Sequence, residues 1–349
     1  MRHSNLNFME IKMNSRFNLV LIVPVFNEED SVALFVSETQ RILKDYLPNI
    51  FLVFVDDGST DKTVEKILEL QQDNNFINLL KLSRNFGKEA AVSAALDTIE
   101  ADAYVISDVD LQDPLELVLQ FIEVWQTQKV DTVCGKRIDR STDTGTKRIT
   151  AGGFYYIFNK LSGRVKIPAN VGDFRLIDRR VVEILRTLPE RNRFMKGLFA
   201  WGGLKTVEIP YVRPERATGV TKWNYPKLWN FALDGIMSFS TLPLRIWSYF
   251  GGFVALLAFI YMLWIVAKTL IFGVDVSGYA SLMSVILFLG GIQLVSIGIL
   301  GEYLGRVSEE VKRRPVYVIS EIFGNIATQI PVQCYGSGIV VHGKKNHDE

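Results

Sequence analysis

The amino-terminal half of this chain contains neither G-x-G-x-x-G nor G-x-x-x-x-G-K-S/T. Those glycines let a backbone approach a pyrophosphate, so their absence argues against dinucleotide-dependent redox chemistry and P-loop hydrolysis. Cysteine is scarce: Cys134 and Cys334 are the two present, far apart and without metal-type spacing, as expected in a reducing compartment. An excess of charge of one sign is lacking too. The formal net charge is +1, which gives no global electrostatic case for nucleic acid. Residues 1–18 hold no long apolar core, so no cleaved signal peptide is expected.

Charge is instead missing from two long stretches near the carboxyl end. No charged residue occurs from Ile246 to Ala267, nor from Val276 to Leu300. Each run reaches the ~20 residues that a helix needs to cross a bilayer core. A buried hairpin of a soluble protein is the alternative. Arg245 precedes the first run and Arg306, Lys312, Arg313 and Arg314 follow the second, which sets both flanks on the cytoplasmic side. Lys268, near the outer end of the first run, can snorkel. Between Tyr225 and Leu244, apolar residues recur at helical spacing beside Trp223, Trp229 and Trp247. That pattern suits an amphipathic helix in the interface, or else a core helix of the soluble domain.

What is plentiful upstream is β-α-β-α alternation. Apolar strands are expected at Asn18–Val25, Ile50–Val55, Asn78–Leu82, Ala103–Ser107 and Val130–Cys134. Helical patterns fall between them at Ser31–Leu47, Lys62–Asp73, Glu89–Ile99 and Leu115–Gln126. This order predicts a parallel sheet covered by helices on both faces. Such sheets bind ligands outside the carboxyl ends of their strands, and Pro24–Glu28, Asp56–Asp61 and Asp108–Gln112 all fall there.

The segment Val105–Pro114 reads VISDVDLQDP. In extended backbone, residues i and i+2 share a side, so Asp108, Asp110 and Gln112 can present oxygens to one point. Hard oxygen ligands suit Mg²⁺ or Mn²⁺, although a polar turn leading to a helix start at Asp113-Pro114 is an equally local reading. Asp56–Asp61 likewise reads either as helix caps around a Gly58 turn or as carboxylates for a base or ribose. Basic residues gather in Lys136–Arg148, Arg175–Arg193, Arg213–Lys227 and Arg306–Arg314.

Taken together, Val23–Glu29 (VPVFNEE), Val55–Asp61 (VDDGSTD) and Asp108–Pro114 (DVDLQDP) resemble the inverting glycosyltransferase family 2 with the GT-A fold. Ser83–Lys88 (SRNFGK) and Gly172–Leu176 (GDFRL) narrow the resemblance to polyprenyl-phosphate glycosyltransferases. That branch includes dolichol-phosphate mannosyltransferase and the bactoprenol (undecaprenyl-phosphate) glucosyltransferases, and the carboxy-terminal hairpin looks like the latter. The resemblance spans roughly residues 18–310.

It implies an α/β fold: a GT-A nucleotide-diphospho-sugar transferase domain with a Rossmann-like, mostly parallel sheet, then interfacial helices and a two-helix transmembrane hairpin. The implied divisions are an extension at 1–17, a cytoplasmic catalytic domain at 18–224, and interfacial helices at 225–245. A hairpin follows at 246–305, with spans near 246–271 and 279–304, and then a cytoplasmic tail at 306–349.

The implied reaction is inverting transfer of one hexose, glucose from UDP-glucose in the first instance, to polyprenyl phosphate at the cytoplasmic face. Other sugars such as mannose, a processive synthase and a silent lipid-carrier protein are the alternatives. The synthases carry Q-x-x-R-W, whereas Phe194–Trp201 here reads FMKGLFAW.

By resemblance, Pro24, Phe26, Glu28, Asp56, Asp57, Asp108 and Arg137 bind the nucleotide sugar. Asp108, Asp110 and Gln112 hold Mg²⁺ or Mn²⁺. Arg148, Arg175 and Arg213 cradle the lipid phosphate, and Asp110, Asp173, Arg216 and Lys222 serve catalysis. For any one of these cations the alternative is a solvated surface charge, and Asp173 has the alternative of pairing with Arg175. Small residues in the second span, Gly290, Gly291, Gly298 and Gly301, make self-association plausible.

Overall fold

In a computed structural model, the residues described are 17–138, 159–160, 165–168, 171–188, 190–191, 193–212, 242–272, 278–328 and 338–340. The first strand, β1 (Leu19–Val25), is apolar on both sides because it lies at the centre of the sheet. Around it the chain lays down α1 (Val32–Ile42), β2 (Ile50–Asp56), α2 (Thr63–Gln72), β3 (Ile77–Leu82), α3 (Lys88–Thr98), β4 (Ala103–Ile106), α4 (Glu116–Gln128) and β5 (Thr132–Arg137). Then follow β6 (Val171–Asp178), α5 (Arg179–Thr187), α6 (Met195–Trp201), β7 (Thr206–Tyr211), α7 (Leu242–Phe272), α8 (Tyr279–Lys312), β8 (Val318–Phe323) and β9 (Ile339–Val340).

Among the described residues, nine strands form one sheet in the order β7-β5-β6-β4-β1-β2-β3-β8-β9. β1 pairs in parallel with β2 and with β4, and β2 with β3, as the alternation predicts. The sheet is mixed rather than wholly parallel: β6 runs antiparallel to β4 and β5, and β8 antiparallel to β3. Strand order reverses between β1 and β4, which opens a crevice at their carboxyl ends. Because β6 runs the other way, its start reaches that same edge. Ile106 pairs with Arg175, so Asp173 lies beyond it on the side where Asp108 leaves β4.

Two cores follow from the period-2 alternation of the strands. Val20, Ile22, Val53, Val55, Leu80 and Leu82 face α3, α5 and α6. Leu19, Leu21, Val23, Leu52 and Phe54 face α1, α2 and α4. Every residue of α3 from Ala90 to Thr98 is buried, which explains its run of alanines. Helix α1 stops at Ile42, short of the expected Leu47. A 3-10 turn over Lys44–Asn49 replaces the rest, because Pro48 lacks an N–H and restricts the residue before it.

The stretch set apart in the sequence as a tail also differs from expectation. β8 completes the sheet edge beside β3, and Tyr317, Ile319, Ile322 and Ile326 are buried in the α3-side core. Many apolar side chains of α7 and α8 are exposed, among them Phe253, Leu257, Phe259, Leu294, Ile297 and Leu300. Among the described residues, Phe288–Lys312 is a helical stretch long and apolar enough to cross a membrane, and Tyr249–Tyr261 a shorter apolar one. The expected interfacial segment lies outside the described residues over 225–241.

Candidate active site

The first two loops at the crevice are stitched to each other. Asn27, held at φ +53°, donates its N–H to Ser59 Oγ at 2.9 Å, and its side-chain oxygen accepts from the Thr60 N–H at 2.8 Å. The Glu28 N–H donates to Thr63 Oγ1 at 2.8 Å, and the Glu28 carboxylate accepts from Ser31 Oγ at 3.0 Å. Pro24 is the penultimate residue of β1 and Phe26 opens the loop, so both stand at this edge. The polar loop thus presents a preformed surface rather than a loose one.

Asp56 ends β2 fully buried, and both its oxygens accept from the Ser59 N–H at 3.2 Å. Burial raises its carboxyl above the ordinary range, against the lowering effect of those Ser59 bonds. Asp57 faces the next loop instead: Oδ1 accepts from the Phe86 N–H at 2.7 Å and Oδ2 from the Gly87 N–H at 2.9 Å. It therefore fixes the loop at the amino end of α3, as a capping carboxylate does. Gly58 permits this approach. Its φ is +74°, and a Cβ there would stand 2.6 Å from the Arg84 carbonyl carbon. The Arg84 guanidinium lies over the Phe86 ring at 4.1 Å.

Asp108 and Asp173 meet on one cation. Lys88 Nζ, at the first position of α3, donates to Asp108 Oδ1 at 2.5 Å and to Asp173 Oδ2 at 3.0 Å. All three side chains are partly exposed, from 26% to 34%. Burial would raise the Asp173 carboxyl, but Lys88, Lys196 and Arg175 outweigh it and hold the group well below the carboxylate range. The neighbouring Glu89 goes the other way, pushed up to about 8 by burial and then by the Asp173 charge, despite the same cations. Two adjacent carboxyls thus sit in opposite protonation states at neutral pH, an arrangement typical of functional sites. Lys88 and Glu89 are not among the site residues expected from the sequence. Ser83–Lys88 follows β3, which puts Lys88 at the crevice edge but leaves its two distant partners unspecified.

Asp110 follows on the same loop, with Oδ1 accepting from the Gln112 N–H at 3.2 Å and Leu111 at φ +53°. Asp108, Asp110 and the Gln112 amide offer only oxygens, a donor set that fits Mg²⁺ or Mn²⁺. Among the described residues no group of three or more His, Cys, Asp or Glu is placed to hold a metal. Two carboxylates with phosphate oxygens are a normal Mg²⁺ environment.

Arg137 closes the other side. Its Nε donates to the Tyr211 hydroxyl at 3.3 Å, and that hydroxyl donates to Asp113 Oδ1 at 2.5 Å. A Cβ on Gly172 would stand 3.3 Å from the Arg137 guanidinium, so this glycine leaves it room. Lys136 points away to Glu208 at 2.7 Å.

Arg175 differs from expectation. It is buried, lies over Phe199 at 4.1 Å and donates to the Gly172 carbonyl at 2.8 Å. A guanidinium committed in this way supports the start of β6 at Gly172–Asp173 and offers no open cradle to a lipid phosphate. Arg148, Arg213, Arg216 and Lys222 lie outside the described residues.

The family model described as "Glycosyl transferase family 2" matches residues 20–185, and that described as "GtrB C-terminal hairpin" matches 242–307. The bactoprenol glucosyl transferase of Shigella phage SfII is 50% identical over 303 residues, 86% of this chain and 97% of that protein. The prophage bactoprenol glucosyl transferase homolog of Escherichia coli (strain K12) is 51% identical over 304 residues, 86% of this chain and 98% of that protein. Among solved structures, the Pyrobaculum calidifontis mannosyltransferase PcManGT, in complex with GDP-Man and Mn²⁺, is 17% identical with a TM-score of 0.46. That alignment covers 64% of this chain and 63% of the other.

Proposed function

The chain belongs to glycosyl transferase family 2, and from that premise we propose that it transfers one glucose from UDP-glucose to a polyprenyl phosphate. The observation that carries this reading is the meeting of Asp108, Asp173 and Lys88 at the crevice where strand order reverses, on a chain that also exposes two long apolar helices. The relatives at about 50% identity, named for bactoprenol glucosyl transfer, supply the acceptor and the sugar.

The reaction is a single in-line displacement. A phosphate oxygen of the acceptor attacks the anomeric carbon, forming a C–O bond as the bond from that carbon to the nucleoside diphosphate oxygen breaks. An α-linked donor then gives a β-linked lipid-phosphate sugar and releases UDP. The second pKa of a phosphate monoester is about 6, so the acceptor is largely ionised near neutrality and needs no strong base. It needs positioning and relief from the donor's negative charge.

Glu28 and Asp57 lie on the loops that would take the nucleoside, with Asp56 buried at the end of β2 beneath them and Asp57 acting through the loop at 85–87. Asp108 and Asp110, with Gln112, would hold a divalent ion against the diphosphate, which supplies Lewis-acid stabilisation of the leaving group. Arg137 would supply positive charge to that diphosphate. Asp173, ionised and held by Lys88, orients the sugar or the acceptor. The helices α7 and α8 would lie in the inner or plasma membrane with the crevice on the cytoplasmic side, the basic residues after α8 favouring that orientation.

The test is transfer of radiolabelled glucose from UDP-glucose to undecaprenyl phosphate by the purified chain in detergent, with Mg²⁺ or Mn²⁺ and with chelator. Metal-dependent label in the lipid phase, abolished by Asp110→Ala, supports the proposal. Folded protein that labels no lipid from any nucleotide sugar removes the acceptor assignment.

A further inference from the structure

Lys88 makes contacts that a nucleotide-sugar site does not obviously need. Its ammonium already occupies Asp108 Oδ1 at 2.5 Å, which is one of the few oxygens available to a divalent ion here. The same ammonium reaches Asp173 Oδ2 at 3.0 Å, so it is held from two sides, by the loop after β4 and by the start of β6. Among the described residues no third carboxylate, histidine or cysteine completes a metal cluster. A divalent ion arriving alone would therefore meet a fixed positive charge and an incomplete ligand set. Like charges a few Å apart repel strongly where solvent is partly excluded.

We propose that Lys88 is a positioning residue that keeps the cation place beside Asp108 filled until a nucleoside diphosphate arrives, so that the divalent ion binds well only together with that diphosphate. This rests on the assignment of Asp108 and Asp110 to the metal. The incoming diphosphate brings both the missing oxygens and the negative charge that offsets Lys88. Once the ion takes Asp108, the ammonium is left to Asp173 alone, which still holds it at the start of β6. Loading the donor side thereby changes the charge balance around the carboxylate on the far side of the crevice. The coupling is reciprocal: what the nucleotide does for metal affinity, the metal does for nucleotide affinity.

The experiment is titration of the full chain in detergent with Mn²⁺ alone and with UDP present, read by the electron paramagnetic resonance of free Mn²⁺. The wild type is expected to bind Mn²⁺ at least tenfold more tightly with UDP than without. Lys88→Met should tighten Mn²⁺ binding without UDP by about tenfold or more and shrink the enhancement by UDP. Lys88→Arg, which keeps the charge, should behave as the wild type. Lys205→Met, which removes a cation at the opposite end of β7, should change nothing. Should Lys88→Met fail to give the wild-type far-ultraviolet circular dichroism, Lys88→Gln carries the same expectations. Unchanged Mn²⁺ affinity in the neutral variant, with UDP still enhancing both proteins, overturns the role of Lys88 and leaves the metal site standing. No Mn²⁺ binding to the wild type even with UDP removes the metal site, and this proposal with it.

Discussion

Tyr317 donates its hydroxyl to Asp97 Oδ2 across 3.1 Å, and both side chains are buried. Tyr317 follows α8, whereas Asp97 lies in α3, the helix that carries Lys88 at its other end. The apolar helices and the site are thus linked through one helix of the catalytic core. Tyr317→Phe should destabilise the protein by about 1–3 kcal/mol, the range for losing a hydrogen bond to a carboxylate group in the interior. The measurement is thermal unfolding in detergent, where Tm should fall by several degrees. A chain ending at residue 313 should do worse. It also loses β8, uncovers the edge of β3 and removes Ile319, Ile322 and Ile326 from the core. Wild-type Tm in both variants would show that the link contributes nothing.

Gly58 gives a second prediction, because its conformation and its space are both restricted. Alanine there meets φ +74° and backbone atoms of Arg84 and Asn85 at 2.6 and 2.7 Å. The strain costs about 1–2 kcal/mol from φ alone, and the backbone clash adds to it. The Asn85–Gly87 loop must shift, and with it the two bonds that Asp57 makes to Phe86 and Gly87. Gly58→Ala should therefore lower Tm and raise the donor KM by tenfold or more. A variant with a normal donor KM would argue that the loop is not part of the nucleotide site.

Glu89 sets a pH dependence whose sign can be worked out. Its carboxyl is raised from 4.5 to about 8 in the folded chain, by burial first and by Asp173 second. Between those values the unfolded chain has released the proton while the folded chain still holds it. Stability therefore falls as pH rises from about 4.5 towards 8 on account of this group. Glu89→Gln keeps the shape and removes the titration. It should raise stability near pH 8 by about 1–2 kcal/mol, partial exposure softening the effect, and make little difference near pH 4. Unfolding curves of both proteins from pH 4 to pH 9 decide this. Parallel curves with a constant offset would mean that Glu89 is an ordinary exposed carboxylate.

Much of this arrangement is written locally. The buried strands β1 and β2 are continuous apolar runs, and Asp108–Gln112 follows directly on β4, so the sheet edge and its carboxylates can be read in order. The contacts that define the crevice are not local. Lys88 meets carboxylates 20 and 85 residues away, and nothing in the spacing of Ser83–Lys88 encodes that meeting. Arg175 looks like any basic residue until Phe199 covers its guanidinium. β8 is a short strand whose partner, β3, was laid down near the other end of the chain, and pairing across such a separation leaves no periodic trace.

Asp173 itself provides the sharpest division of labour. It is ionised across the whole working range, since Lys88, Lys196 and Arg175 hold its carboxyl low, so its own titration cannot set an acid limb in activity. Any such limb should come from the acceptor phosphate, near pH 6. Asp173→Asn removes the charge that Lys88 shares, leaving the ammonium to Asp108. It should reduce kcat by about 10²- to 10⁴-fold, the range for a positioned acid–base or orienting group, with the limb near pH 6 retained. The donor KM should change less than kcat, because the nucleoside loops at Asn27–Thr60 and Asp57–Gly87 are built without Asp173. Steady-state kinetics against UDP-glucose and against polyprenyl phosphate separate the two effects. A variant altered in donor KM alone would move Asp173 from the reacting centre to the nucleotide side.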